Sequence, residues 1–149
     1  MKDNDTTTPA RILLVEDDPA DILMTRKALE KSKLRVGLDV VEDGEAAMAF
    51  LRREAPYQDA VLPDLVLLDL NLPKVNGHEV LQHMQADDLL KAIPVVVLTT
   101  SEADEDIVKT YTLGANCFVT KPVGLEAFRK IVLEIETFWL TIVKLPHPE

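Results

Sequence analysis

The sequence predicts an α/β fold, a doubly wound parallel sheet of five strands with five helices, in a chain of 149 residues. Two observations carry this. Leu65 to Leu68 (LVLL) and Ile93 to Leu98 (IPVVVL) are uninterrupted apolar runs, the pattern of strands buried on both faces of a sheet. Around them, short apolar runs alternate with stretches of helical spacing, and such alternation implies parallel strands joined by helical crossovers.

The elements follow in order. Arg11 to Val15 (RILLV) reads as the first strand, and Asp18-Pro19 opens a helix striped by Ile22, Leu23, Ala28 and Leu29. Val36 to Val41 alternates as a second strand, broken by Asp43-Gly44 before a helix from Glu45 to Arg53. A loop from Glu54 to Pro63 leads into the strand 65–68, and Val80, Leu81 and Met84 mark a helical face after Gly77. The fourth strand is Ile93 to Leu98, followed by a weaker helix from Ala103 to Leu113 that Gly114 closes. Cys117 to Val119 is a short fifth strand. Leu125, Phe128, Ile131, Val132, Ile135, Phe138, Trp139 and Ile142 then keep helical spacing until Pro146. Residues 1–10 form a flexible lead-in, and 11–149 a single domain with an extended last helix and tail.

Composition narrows the function classes. With 47% hydrophobic and 28% charged residues, the chain reads as a soluble globular protein. No apolar run approaches the roughly 18 residues of a membrane span, and MKDNDTTTPA lacks the apolar core of a signal peptide. One cysteine excludes an internal disulfide and fits a cytoplasmic setting. A net charge of −10 with no basic patch argues against nucleic-acid binding.

In an open parallel sheet, ligands bind beyond the carboxyl ends of the strands. Glu16-Asp17-Asp18 follows the first strand, Asp69 the third, Thr99-Thr100-Ser101 the fourth and Thr120-Lys121-Pro122 the fifth. Each group alone has an ordinary explanation. Asp17 or Asp18 can cap a helix, Asp69 and the threonines can start turns, and Lys121 can be a surface lysine. Together they are harder to dismiss, because clustered carboxylates repel unless a cation joins them. Mg²⁺ suits such a set, since it takes one or two carboxylates and bridges to phosphate. Lys121 and Thr99 would suit a phosphoryl group on a carboxylate oxygen.

ILLVEDDP, LVLLDLNLPKVNG, PVVVLTTS and FVTKP stand in this order at the ends of the first, third, fourth and fifth strands. In these motifs the chain resembles the receiver domains of two-component response regulators, from about Ala10 to Glu136. The resemblance implies a flavodoxin-like sheet in the order 2-1-3-4-5. It implies Asp69 as phosphoacceptor, with Thr99 and Lys121 as its catalytic partners. Asp17 would bind Mg²⁺ directly, Glu16 through water, and Asn71 through its backbone carbonyl, with Asp69 itself as a further ligand. Thr99 and Phe118 would form the switch, and a cis bond is frequent in the family where Pro122 follows Lys121. The implied partner is a sensor histidine kinase, and the implied output surface is the face of the fourth helix, fifth strand and fifth helix.

Three positions depart from the commonest pattern. Thr100 replaces a smaller residue and is expected to crowd the space the switch aromatic enters. Asn76 replaces Asp before Gly77 with little expected consequence, because Asn also tolerates left-handed turns. Phe118 lacks a tyrosine's hydroxyl. Asn71 and Ser101 are expected to flank the path of water attacking an acyl phosphate.

The tail through ETFWLTIVKLP is longer and more apolar than a receiver requires. Phe138, Trp139 and Ile142 either cover the end of the core or form a homodimer patch together with the helix 4–strand 5–helix 5 face. The FWL tail and the LLDLNLPK run resemble those of stand-alone receivers that serve phytochrome-type, light-sensing kinases. His78, His83 and His147 have no metal-ligand spacing and read as surface residues, and Cys117 as a small apolar core residue. The alternative is a Mg²⁺-dependent phosphohydrolase with an aspartyl nucleophile; such enzymes carry a second Asp where this chain has Asn71. A flavin protein would need a neutral phosphate-cradling loop where EDDPAD stands.

Overall fold

The structure, a computed structural model, describes residues 10–32, 35–100 and 104–142. The strands are β1 (Ala10–Val15), β2 (Val36–Val41), β3 (Leu65–Leu68), β4 (Val95–Thr99) and β5 (Cys117–Thr120). The helices are α1 (Pro19–Glu30), α2 (Gly44–Arg52), α3 (Gly77–Gln85), α4 (Asp104–Thr112) and α5 (Leu125–Thr137). The sheet order is β2-β1-β3-β4-β5 with every neighbouring pair parallel.

Side chains alternate across each strand, so the sheet carries two cores. Leu13, Val15, Val66, Leu68, Val95 and Val97 meet α2 and α3 through Ala47, Met48, Phe50, Leu51, Val80, Leu81 and Met84. Ile12, Leu14, Leu65, Leu67, Val96 and Leu98 meet Ala28 and Leu29 of α1 and Phe128, Val132 and Ile135 of α5. All four β3 residues are no more than 1% exposed, and each contributes roughly 2 kcal/mol by leaving water. The strand that ends at Asp69 is therefore held rigidly.

Local chemistry sets the helix starts. Asp18 caps α1 by accepting from the Ala20 and Asp21 N–H groups at 2.8 and 3.4 Å, with Pro19 as the first helical residue. Asp43 caps α2 through the Ala46 N–H at 2.7 Å. Asn76 and Glu79 cap α3 reciprocally, side chain to backbone in both directions. Asn76 sits at φ −77°, so it caps rather than turns left-handed; the left-handed residue in that loop is Lys74, at φ 66°.

Several expectations change. β2 does not alternate: Val36 to Val40 are all half-buried, because an edge strand is covered incompletely on both faces. A 3₁₀ turn at Leu90–Ala92, with Leu90 buried, precedes β4. The last helix does not run uniformly to the tail but loosens into a π-helical segment at Phe138–Ile142. Among the described residues the one cis peptide bond is Ala55–Pro56, so Lys121–Pro122 is trans. The lead-in before Ala10, Ser101, Ala103, Pro146 and His147 lie outside the described residues.

Candidate functional site

Topology assembles the site. From β1 the chain crosses through α1 to β2 on one side, and from β3 through α3 to β4 on the other. With α1 and α3 on opposite faces, the carboxyl ends of β1 and β3 flank an open crevice. Val15 pairs with Leu68, which puts Glu16 and Asp69 side by side just past the sheet. The Asp69 N–H donates to the Val15 carbonyl at 3.1 Å, and the Lys121 N–H to that of Thr99 at 2.8 Å. Glycines let the surrounding backbone close in. A Cβ on Gly77 would stand 2.7 Å from the Asp69 carbonyl oxygen, and one on Gly44 would stand 1.7 Å from that of Val75. Helices α3 and α2 thus press directly against the loop that carries Asp69 and Asn71.

Lys121 is the hub. Its Nζ donates to Glu16 Oε1 at 2.6 Å, to Asp21 Oδ2 at 2.7 Å and to Asp69 Oδ2 at 3.1 Å. The four side chains are 6%, 4%, 16% and 7% exposed in that order, so water screens these contacts little. The other Glu16 oxygen accepts from the Asp18 N–H at 3.1 Å, and Asp69 Oδ1 from the Asn71 N–H at 3.2 Å. Asp17 is exposed at the rim. One carboxylate oxygen each from Glu16, Asp17 and Asp69 lies within 4.8 Å of the others.

Charge in this space is unbalanced. Burial pushes the Glu16 carboxyl up to about 7, the Lys121 hydrogen bond opposes the rise, and the Asp69 charge adds to it. Burial works against the Lys121 charge as well. Hydrogen bonds to Asp21 and Glu16 and the fields of Asp69 and Glu16 outweigh it, and they hold the ammonium well above the usual lysine range. One lysine contacts three carboxylates and Asp17 adds a fourth beside Glu16 and Asp69, so a divalent cation fits this donor set on charge and on ligand type.

The sequence singled out Glu16, Asp17, Asp69 and Lys121, and the fold brings them together. Of the two candidate caps, Asp18 caps the helix and Asp17 stays at the rim. Thr99 ends β4 fully buried, beside Thr120. Asn71 lines an open cleft with Asp17, Asn76, His78 and Asp106. Thr100 is exposed rather than packed inside, so it does not crowd the interior. Phe118 is half-buried against the α2/α3 core, and its N–H donates to the Tyr111 hydroxyl at 3.0 Å. His83 is exposed, but His78 is not a surface residue: only 17% of its side chain is exposed, 3.8 Å from Asp106, and burial lowers its pKa. Cys117 packs half-buried against the α1/α5 core.

The tail residues divide. Trp139 packs against the α1/α5 core, whereas Phe138 is 48% exposed and meets the Trp139 ring edge-on at 5.6 Å between centroids. The Ile142 side chain lies outside the described set. Sequence reasoning missed Asp21. It stands in EDDPAD as one more acid of the first helical turn, and only the packing of α1 turns it onto Lys121.

A five-stranded parallel sheet with a lysine-bridged acidic pocket at its switch point defines a phosphoacceptor-type signalling module, and residues 12–133 match the response regulator receiver domain. The chain belongs to that family and is a response regulator, not a phosphohydrolase. It is 45% identical to the response regulator Rcp1 of Synechocystis sp. over 143 residues, covering 96% of this chain and 97% of Rcp1. The phosphorylated cyanobacterial phytochrome response regulator RcpA superposes with a TM-score of 0.91 at 47% identity, covering 94% of this chain and 100% of RcpA. The Mn²⁺-bound form of Rcp1 superposes with a TM-score of 0.89 at 46% identity, covering 93% of this chain and 100% of Rcp1.

Proposed function

We propose that Asp69 accepts a phosphoryl group from a phosphohistidine on a sensor histidine kinase of a phytochrome-type, light-sensing system in the cytoplasm. The phosphoacceptor reading rests on one observation: a buried ammonium donates at once to Asp69 and Glu16, beside a third carboxylate, Asp17. The phytochrome-type partner is supported by the similarity to RcpA. An Asp69 oxygen attacks phosphorus, an O–P bond forms and the P–N bond breaks. The electron pair returns to the imidazole nitrogen, which takes up a proton. Glu16, Asp17 and Asp69, with the Asn71 carbonyl, would hold Mg²⁺, which supplies charge neutralisation at the phosphoryl oxygens. The Asn71 N–H fixes Asp69 Oδ1, the Lys121 ammonium offsets the meeting of two anions, and burial by the β3 strand keeps the nucleophile from swinging away.

The response is a shift between two states. Thr99 turns its hydroxyl to the phosphoryl group, Phe118 follows, and the α4-β5-α5 face changes. That face exposes Val108, Tyr111, Val123, Leu125 and Phe138, an apolar surface suited to a homodimer built through α4, β5, α5 and the tail. Incubation with acetyl phosphate and Mg²⁺ should label the wild type and leave Asp69→Asn unlabelled; labelling that persists in the variant refutes the assignment. Loss of the dimer in Phe138→Ala by size-exclusion chromatography tests the interface, and an unchanged monomer in both proteins refutes it.

A further inference from the structure

We infer that Asp21 is a positioning residue for Lys121: it fixes the ammonium so that one of its N–H bonds always addresses the space at Asp69. The inference rests on Asp69 being the phosphoacceptor, and it concerns a residue outside the acidic trio and the switch pair.

A lysine ammonium has three hydrogens and no preferred heading of its own, because it turns freely about its last carbon and ends a four-carbon stem. Here all three are taken. Two bonds are short, to Glu16 at 2.6 Å and Asp21 at 2.7 Å, while the bond to Asp69 is longer at 3.1 Å. Two short bonds determine where the third hydrogen points. A phosphoryl group on Asp69 brings new oxygens into that direction, so only the long bond has to be exchanged and the ammonium need not reorient. Without Asp21, the nitrogen would keep one short bond, to Glu16, and could swing about it.

The anchor is itself anchored. Asp21 lies in the first turn of α1, where its N–H donates to the capping carboxylate of Asp18, and its carbonyl accepts from the Thr25 hydroxyl at 2.8 Å. Thr25 is buried, and α1 packs along α5 through Ala28 and Leu29. The position of the carboxylate is therefore set by the helix interface and not by a loop. Neither Pro19 nor Asp18 competes for Lys121: proline has no side-chain acceptor, and the Asp18 Oδ1 is occupied at the cap.

Asp21→Ala, Asp21→Ser and Asp21→Asn separate placement from charge. Asparagine keeps an oxygen acceptor at the same reach without the charge; alanine and serine do not reach. The first measurement uses the metal-free, unphosphorylated protein and records the ¹⁵N-ammonium signal of Lys121 by NMR. A slowly exchanging, ordered signal is expected in wild type and Asp21→Asn, and a mobile, fast-exchanging one in Asp21→Ala and Asp21→Ser. The second is the rate of labelling by acetyl phosphate with Mg²⁺, expected to fall about tenfold in alanine and serine variants and to recover to within about threefold in asparagine. An equally ordered ammonium in all four proteins would overturn the inference. So would an asparagine variant as slow as alanine, which would make the charge decisive. If the wild type takes no label, the phosphoacceptor reading fails instead, and the ammonium spectrum still decides whether Asp21 holds Lys121.

Discussion

Replacing Glu16 by glutamine should stabilise the metal-free protein, by an amount that depends on pH. Glutamine is nearly isosteric and, like the protonated acid, keeps one acceptor oxygen, whereas ionised Glu16 engages the Lys121 ammonium and the Asp18 N–H with separate oxygens. What it removes is a charge that the folded state holds at a cost, since burial pushes this carboxyl from 4.5 to about 7. Below about 4.5 the side chain is protonated in the folded and unfolded chain alike, and the substitution changes little. Between about 4.5 and 7 the unfolded chain releases the proton while the folded chain retains it, so wild-type stability falls as pH rises. Above that window the whole penalty is present, roughly 3 kcal/mol at about 1.4 kcal/mol per pH unit. Urea unfolding in chelator, followed by Trp139 fluorescence, should show Glu16→Gln more stable by about 3 kcal/mol at pH 8 and by no more than ~1 kcal/mol at pH 5. An equal gain at both pH values, or none at pH 8, refutes the argument that buried charge sets this carboxyl.

Three further outcomes follow from other contacts. Lys121→Met leaves Glu16, Asp21 and Asp69 facing one another without their cation. The metal-free variant should lose roughly 3–5 kcal/mol at pH 8 and regain much of it at pH 5, measured by urea unfolding. Gly44→Ala drives a Cβ into the Val75 carbonyl and should cost about 1–3 kcal/mol in stability, with slower labelling by acetyl phosphate as the Asn71 loop is displaced. Leu67→Ala opens a cavity in the α1/α5 core and should cost about 2–5 kcal/mol in the same unfolding assay, with labelling at Asp69 retained at temperatures where the protein stays folded.

The sequence by itself determined the alternation of strands and helices, and with it the residues that lie at the strand ends. Those facts are local. An all-apolar LVLL admits few homes other than a strand covered on both sides, and the residue after it must emerge at the sheet's edge. For the same reason Glu16, Asp17, Thr99 and Lys121 could be named from their places at the ends of β1, β4 and β5. Ends of helices were less legible, because packing moves them by a residue or more. The loosened turn at Phe138–Ile142 and the edge exposure of β2 were invisible to periodicity.

Tertiary structure alone decided the contacts that join distant segments. Asp21 and Lys121 are 100 residues apart, and nothing in EDDPAD distinguishes an acid that faces solvent from one that faces a lysine. The choice was made when α1 settled against α5 and turned that side of its first turn inward. Packing likewise sent Trp139 toward the core and left Phe138 outside, although the two are adjacent and equally apolar in the sequence. It also set the proton affinity of Glu16, because desolvation and neighbouring charge depend on what surrounds a carboxyl in space and not on what flanks it along the chain.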